Sequence, residues 1–541
     1  MNILAKLNDG LLYCDGGFGS LLQARGLKPG QIPDLWNLDN PDAVKEAHLE
    51  YLRAGADIIN TNTFGSNRDR LGHRFEETVA AGVKLAGEAV RENGGGFVAL
   101  DIGPTGRMFE PFGELTFPHA LELFAETVRL GAAAGADLIN IETMGDLMEA
   151  KAAVIAAKEN CDLPVFVSVA FSDKGKLLMG SDALTAATLL EALGADAVGL
   201  NCGVSPHKAL ELAEELASCL SIPLIVCPNA GMPHIRDGRT VYDVTPDDFA
   251  DAMALVVRAG ARVIGGCCGT TPAHIKALRE RTASEKPVPL KEKKRVVVSS
   301  SMQAFELGSV PALIGNAIDP ETEPTVAAAF LSGDTGAAVD EAVAQAAEEA
   351  HLIAVCARKD GVNERELLSE AVADVQTVAR TPLLLRTTDL FAAERALRAY
   401  NGRPIWYYET DADLEKAFAL AKKYGAVLAL PTLDRGAPPE TAQGRLKAAE
   451  TLLKAAEKRG LRPVDLMFDT CIAADNAETA LDAAKMIHKD LGCRTLLDIP
   501  GCFRGDPDAD KKAAEATKRA FLAGVDAVFA DVSSDALAAV T

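Results

Sequence analysis

The sequence predicts an α/β protein built from two consecutive TIM (β/α)8 barrels, and three observations carry this prediction. Eight short apolar runs lie within residues 1–285, and a segment of helical character follows each of them. A polar stretch at 286–299, with four lysines and two prolines, comes next. A second series of eight apolar runs then occupies residues 300–541. Strands that alternate with helices in this way are typical of barrels with a parallel sheet.

The first series of apolar runs predicts where functional residues lie. The runs are 11–14, 58–60, 97–101, 138–142, 165–170, 197–201, 223–228 and 263–266. The segment 118–135 represents the helices between them, because Leu121, Phe124 and Val128 recur at helical spacing. In a (β/α)8 barrel the active site is formed by the loops at the C-terminal ends of the strands. Functional side chains are therefore expected directly after these runs.

Three cysteines occupy such positions. Cys202 follows the sixth run, and Cys267 and Cys268 follow the eighth. Only one strand separates these two runs around a closed barrel, so the three thiols are expected to meet. Three thiolates without a fourth protein ligand predict a catalytic zinc site with an open position. The alternatives are buried, inert cysteines and a disulfide, which adjacent cysteines form poorly.

An ordered series of motifs resembles the homocysteine S-methyltransferases. The series begins with Cys-Asp-Gly-Gly-Phe-Gly-Ser at 14–20 and continues through 54–65, 101–106, 141–143, 199–203, 228–231 and 265–272. The resemblance therefore covers the whole first domain, residues 1–285. It implies that Cys202, Cys267 and Cys268 are both the metal ligands and the catalytic residues. Zinc would replace the proton of a thiol substrate, and a methyl group would pass to homocysteine sulfur to give methionine.

The resemblance also implies how the amino-acid end of homocysteine is held. Asp15 and Glu142 would accept hydrogen bonds from the substrate ammonium, and backbone N–H groups near Gly16 and Gly17 would hold its carboxylate. Asn229 would orient the loop after the seventh strand. The alternative, from the residue types alone, is that Asp15 starts a turn and Glu142 caps the following helix.

Composition limits the class of protein. The 541 residues are 48% hydrophobic and 24% charged, which is typical of soluble globular domains. The formal net charge of −22 argues against nucleic acid as a partner, because nucleic-acid binding needs a basic surface. No apolar stretch reaches the roughly 18 to 20 residues of a membrane span, and residues 1–10 lack a secretory signal. With eleven cysteines that suit a reducing compartment, the protein is expected in the cytoplasm.

The second series of runs predicts another barrel after the 286–299 linker. The runs are 312–314, 352–356, 382–385, 404–408, 426–430, 466–468, 495–499 and 525–530. The domain order resembles that of cobalamin-dependent methionine synthase, whose second module is a pterin-binding barrel that delivers methyltetrahydrofolate. Here the positions of several pterin-binding Asp and Asn residues are taken by other side chains, at Ala354, Cys356, Arg386 and Tyr407.

These departures make methyltetrahydrofolate an unexpected ligand, because each unmet polar group of a buried pterin costs about 1 to 3 kcal/mol. The second barrel is expected instead to be a scaffold or a docking body, or to bind another ligand through Arg386, Tyr407, Asp469 and Arg504. The chain has no Asp-x-His-x-x-Gly segment of the kind that binds corrinoids. We therefore expect the methyl group to come from a corrinoid on a separate protein or from free methylcobalamin. One alternative is that the first barrel takes the methyl group directly from a sulfonium or betaine-type donor. A second alternative is that the protein is a zinc-bound scaffold without enzymatic activity.

Overall fold

The computed structural model describes residues 2–236 and 239–539, and it confirms the prediction of two (β/α)8 barrels. The chain divides into two compact units. The first unit ends at Lys293 and the second begins at Lys294.

The first barrel is a sheet of eight parallel strands in the order β1-β10-β7-β6-β5-β4-β3-β2. A bridge between Cys14 and Ile58 links the two end strands, and the Asp57 N–H donates to the Tyr13 carbonyl at 2.7 Å. A small antiparallel hairpin in the loop after β7, formed by β8 and β9, was not predicted. The strands are β1 (Leu12–Tyr13), β2 (Ile58–Asn60), β3 (Phe97–Ile102), β4 (Leu138–Met144), β5 (Val165–Val169), β6 (Ala197–Asn201), β7 (Leu224–Cys227), β8 (His234–Arg236), β9 (Arg239–Val241) and β10 (Ala261–Ile264).

Helices surround this sheet and begin at well-formed caps. Thr116, Ser205 and Thr245 each accept a hydrogen bond from a backbone N–H of the first turn, and a proline lies in each of those turns. The helices are Ile3–Asp9, Phe18–Ala24, Trp36–Asp39, Pro41–Arg53, Arg68–Leu71, Phe75–Asn93, Phe117–Ala134, Leu147–Asn160, Ala183–Ala192, Pro206–Cys219, Pro246–Ala259 and Pro272–Thr282. Across residues 2–236 and 239–539, no helix combines the length and apolar composition needed to span a membrane.

The second unit begins with an antiparallel hairpin and continues as a closed eight-stranded parallel barrel. The hairpin is β11 (Val296–Ser299) and β12 (Ala304–Leu307). The barrel strands are β13 (Ala312–Ile318), β14 (Leu352–Cys356), β15 (Leu383–Arg386), β16 (Ile405–Tyr407), β17 (Val427–Pro431), β18 (Leu466–Asp469), β19 (Arg494–Asp498) and β20 (Ala527–Ala530). The helices are Pro324–Leu331, Gly336–Ala347, Glu364–Val378, Leu390–Ala399, Leu414–Tyr424, Ala442–Glu457, Ala477–Leu491, Ala509–Leu522 and Asp535–Ala538.

The hairpin corrects the predicted extent of the 286–299 linker. Its last four residues form β11, because Val296, Val297 and Val298 are buried in the core of the second unit. Earlier in the segment, the Val288 carbonyl accepts a hydrogen bond from Arg262 Nη2 at 2.7 Å. The connection is therefore shorter than the composition suggested.

Arg403 ties the hairpin to the second barrel. The side chain is almost fully buried, and its Nη1 donates to the Val297 carbonyl at 3.0 Å while its Nε donates to the Gly425 carbonyl at 2.9 Å. Its Nη2 lies 2.7 Å from Asp465 Oδ1, in an ion pair that is equally buried. Asp465 also pairs with Arg462, whose Nε lies 3.1 Å from Asp465 Oδ2.

We expect Arg403→Met to lower the free energy of unfolding of the second unit by about 1 to 3 kcal/mol, because it leaves the carbonyls of Val297 and Gly425 without their buried donor. Urea unfolding of the full chain, followed by the fluorescence of Trp406 in a Trp36→Phe background, measures this change. The exposed Arg395→Met is the matched control and should shift stability by less than about 0.5 kcal/mol. A loss below about 1 kcal/mol in Arg403→Met would contradict the assigned role.

Candidate functional site

The three predicted cysteines meet at the mouth of the first barrel. Cys202 directly follows β6, Cys267 and Cys268 follow β10, and β7 lies between these strands. The three Sγ atoms lie within 4.8 Å of one another, and Cys202 Sγ is 3.9 Å from Cys268 Sγ. Sulfurs that bind one tetrahedral zinc at about 2.3 Å lie about 3.8 Å apart. The thiol cluster, defined as these three side chains, therefore has the chemistry and the spacing of a zinc site.

The backbone around the thiol cluster has little room for side chains. Cys202 has a φ of 55°, and its N–H donates to the Cys227 carbonyl of β7 at 3.1 Å. Gly269 has a φ of 79°, and a Cβ there would lie 2.2 Å from the ring of Tyr242. A side chain at this glycine would displace Tyr242 from the cluster.

Polar side chains around the cluster hold its sulfurs. Asn201 Nδ2 lies 3.9 Å from Cys267 Sγ and also donates to Thr143 Oγ1 at 2.7 Å. Asn201 Oδ1 accepts from the Thr143 N–H at 2.7 Å, so one amide links the turn after Glu142 to the cluster. The pKa of the Cys202 thiol is lowered because the other two thiols of the cluster donate hydrogen bonds to it.

The two predicted carboxylates lie at the same mouth. Asp15 is buried and accepts hydrogen bonds from the Asn60 N–H at 2.8 Å and from Asn60 Nδ2 at 3.2 Å. Glu142 is half-buried and accepts from Asn140 Nδ2 at 3.2 Å. Burial raises the pKa of Asp15 well above its usual range, and the charge of Glu142 raises it further. Burial, followed by the charge of Cys202, raises the pKa of Glu142 to about 7.

The predicted glycines lie against the loop after β10. A Cβ at Gly16 would lie 2.5 Å from Thr270 Oγ1, and a Cβ at Gly17 would lie 2.8 Å from the Cys267 carbonyl oxygen. Both positions therefore need glycine for close packing. The Gly17 N–H already donates to Thr270 Oγ1 at 3.0 Å, so a substrate carboxylate at this amide would compete with Thr270.

Asn229 is also near the cluster. Its N–H donates to the Val204 carbonyl at 3.1 Å, its side chain hydrogen-bonds to Cys202, and its buried Oδ1 has no partner among the described residues. Its placement is thus tied to the loop that carries Cys202.

The sequence interpretation missed three residues at this mouth: Asp101, Asn201 and Tyr242. Asp101 is the last inward-facing residue of β3, and Asn201 immediately precedes Cys202. Alternation along the strands was the signal for both. Nothing in the sequence signalled Tyr242, because it comes from the irregular loop after β9.

The mouth of the second barrel is filled by an ion network around Arg386. Its Nη2 lies 2.8 Å from Glu409 Oε1 and 3.1 Å from Asp498 Oδ2, and its Nη1 lies 3.6 Å from Asp319 Oδ2. The guanidinium carbon also lies 5.4 Å from the centre of the Phe529 ring. Carboxylates from three strand ends thus surround one arginine.

Tyr407 and Asp469 form a separate contact beneath that network. Tyr407 Oη donates to Asp469 Oδ2 at 2.5 Å, and the Cys471 N–H donates to Asp469 Oδ1 at 2.8 Å. Burial raises the pKa of Asp469 to about 6 in spite of these two hydrogen bonds. Arg504, the fourth residue predicted to act here, is exposed and lines a different pocket with Phe503.

Comparison with known proteins places these barrels among their relatives. Methionine synthase from Mycobacterium tuberculosis is 29% identical over 526 residues, which cover 90% of this chain and 44% of that protein. The chain therefore spans less than half the length of that relative. Homocysteine methyltransferase MmuM from Escherichia coli, in its metallated form, is 26% identical over 50% of this chain and 96% of its own, with a TM-score of 0.43. Dihydropteroate synthase from Stenotrophomonas maltophilia is 18% identical over 43% of this chain and 92% of its own, with a TM-score of 0.33.

The profile of the homocysteine S-methyltransferase family matches residues 12–282, which include all strands of the first barrel and the thiol cluster. This match covers half of the sequence. The chain therefore belongs to the homocysteine S-methyltransferase family.

Proposed function

We propose that this chain transfers a methyl group to the thiol of homocysteine, giving methionine, with a zinc ion held by Cys202, Cys267 and Cys268. The observation that carries the proposal is the convergence of three thiols and two buried or half-buried carboxylates at one barrel mouth. When bound, zinc supplies a Lewis acid that lets a coordinating thiol lose its proton at neutral pH.

Side chains of the first barrel would bind the amino-acid end of homocysteine. Asp15 and Glu142 would accept hydrogen bonds from the substrate ammonium, and Asn60 and Asn140 keep those carboxylates in place. The substrate sulfur then forms a bond to the methyl carbon as the bond between methyl and donor breaks, and the electron pair of the broken bond stays with the donor. The thiol proton leaves to solvent, so the sulfur attacks with a free electron pair.

The methyl donor in this proposal is a methylated corrinoid, on a separate protein or as free methylcobalamin. The ion network around Arg386 supports it, because a pterin would have to displace a guanidinium held by three carboxylates. Breaking such a buried network costs several kcal/mol. We therefore propose that the second barrel does not deliver methyltetrahydrofolate and that it serves as a docking body or scaffold.

Two alternatives remain distinct. In one, a sulfonium or betaine-type donor passes its methyl group directly to homocysteine or to another small thiol. In the other, the chain is a zinc-bound scaffold without activity, but the carboxylates beside the thiols have no role in such a scaffold. We also propose that the protein acts in the cytoplasm, because a zinc site of free thiols needs a reducing compartment.

We expect Cys268→Ala to abolish zinc binding and methyl transfer while the barrel stays folded. Two thiols would remain of the three that form the donor set. Zinc per chain, measured by metal analysis after dialysis, should fall from about one to near zero, and the circular dichroism spectrum should not change. The control is Cys219→Ala, which removes a thiol at a helix end away from the cluster. A metal-free Cys268→Ala protein that still makes methionine would refute the zinc mechanism.

A donor assay tests the rest of the proposal. With L-homocysteine present, methylcobalamin should yield methionine, and methyltetrahydrofolate alone should yield none. Calorimetric titration of methyltetrahydrofolate into the full chain should show no micromolar binding, with L-homocysteine as the positive control on the same sample. Methionine formed from S-methylmethionine without any corrinoid would favour the direct donor instead.

We expect the stability of the second unit to depend on pH through Asp469. Burial raises the pKa of Asp469 to about 6 in the folded state, so below this pH the folded state holds a proton that the unfolded chain releases. This proton binding stabilises the folded state, and the stabilisation is lost as the pH rises through about 6. Between pH 4.5 and pH 7.5, the free energy of unfolding of Asp469→Asn should therefore rise by about 2 kcal/mol relative to that of the wild type. Urea unfolding followed by Trp406 fluorescence in the Trp36→Phe background measures this change. The exposed Asp475→Asn is the matched control, and a pH-independent difference between Asp469→Asn and wild type would contradict the assignment.

A further inference from the structure

Asp101 faces the interior of the first barrel, next to the predicted substrate site. Phe97 and Ala99 of β3 belong to the apolar core inside the barrel, and alternation along the strand places Asp101 on the same side. In the sheet, Asp101 is paired with Asn140 of β4. Asn140 lines the central cavity together with Glu142. Asp101 is therefore the inward-facing residue where β3 reaches the mouth.

The main chain of Asp101 is held by hydrogen bonds, but one oxygen of its carboxylate is not. The Asp101 N–H donates to Thr61 Oγ1 at 3.0 Å, and its carbonyl accepts from Thr63 Oγ1 at 2.8 Å. The side chain is 6% exposed, and its Oδ1 has no hydrogen-bond partner within residues 2–236 and 239–539. Among the buried carboxylates in the described part of the first barrel, Asp101 is the one with such an unpartnered oxygen. A buried acceptor without a donor is costly unless a ligand supplies one.

The surroundings of Asp101 determine which ligand can supply that donor. Burial, and then the negative charges of Glu142, Asp15 and Asp34, raise the pKa of its carboxyl group well above the usual range. A cation would relieve this repulsion, and an ammonium group carries three N–H donors. Asp15 and Glu142 are held by neighbouring amides, whereas Asp101 Oδ1 has no partner in the described part of the chain. Three carboxylates thus match the three donors of one ammonium group.

We propose that Asp101 is a third acceptor for the substrate ammonium and makes the first barrel selective for thiols that carry an α-ammonium group. This inference rests on the proposed function, since it assigns the specificity of the same site. It differs from the roles of Asp15 and Glu142, which the motifs of the first barrel already suggest. A thiol that lacks the ammonium would leave the carboxylate of Asp101 without a donor.

The test compares two thiols that differ only in the ammonium group, L-homocysteine and 4-mercaptobutanoate. Calorimetric titration into the zinc-loaded full chain should show that Asp101→Asn weakens L-homocysteine binding by about 10- to 100-fold. Binding of 4-mercaptobutanoate should change by less than about twofold, because it makes no contact that the substitution removes. The exposed Asp42→Asn is the matched control for both ligands.

Two further measurements separate the possible outcomes. A merely structural carboxyl group would lower the melting temperature and affect both thiols equally, whereas the proposed role leaves the melting temperature unchanged or raised. Asp101→Ala repeats the test if the asparagine variant does not fold. Equal affinity of wild type and variant for L-homocysteine, or equal loss for both thiols, would overturn the inference. Wild-type protein that binds L-homocysteine and zinc but makes no methionine would instead count against the proposed function alone.

Discussion

The parallel direction of β6, β7 and β10 is the constraint on which the candidate site depends. Parallel strands place all their C-terminal ends at one edge of the sheet, so the loop after β6 and the loop after β10 open at the same mouth. With β7 between them, Cys202 and Cys268 come within 3.9 Å. The Cys202 N–H bonds to the end of β7, which fixes the cysteine through the strand that separates the two loops. Closure of the barrel then brings β1, with Asp15, to the other side of β10.

The two barrel mouths balance buried negative charge in opposite ways. In the first barrel the charge of Glu142 raises the pKa values of Asp15 and Asp101, and the hydrogen bonds that Asp15 and Glu142 accept come from amides rather than from cations. In the second barrel, Arg386 lies among the carboxylates and supplies the positive charge itself. The first mouth is therefore suited to a cationic ligand, whereas the second already contains its cation.

Much of this arrangement was accessible from sequence because it is local. The strands are short apolar runs, and the cysteines follow them directly, so a count of runs was enough to bring Cys202 and Cys268 together. The partners of Arg386 were not accessible, because two of them, Glu409 and Asp498, lie 23 and 112 residues away in the chain. The unpartnered state of Asp101 depends likewise on which amides its neighbours hold. The 286–299 linker was predicted too long because the three valines directly follow a basic run. Their burial depends on pairing between β11 and β12, which the sequence pattern did not indicate.

The ion network of the second barrel is not explained by stability alone. Apolar side chains of similar volume often stabilise a protein as well as a buried ion network does, because desolvation offsets much of the attraction between charges. What the network does provide is a fixed shape, since Arg386 contacts three strand ends and packs on the ring of Phe529. A ligand that enters this mouth must replace a guanidinium in both charge and hydrogen bonding. A neutral ligand with N–H groups could replace the hydrogen bonds of Arg386 but not its charge, so the three carboxylates would be left without a counter-ion.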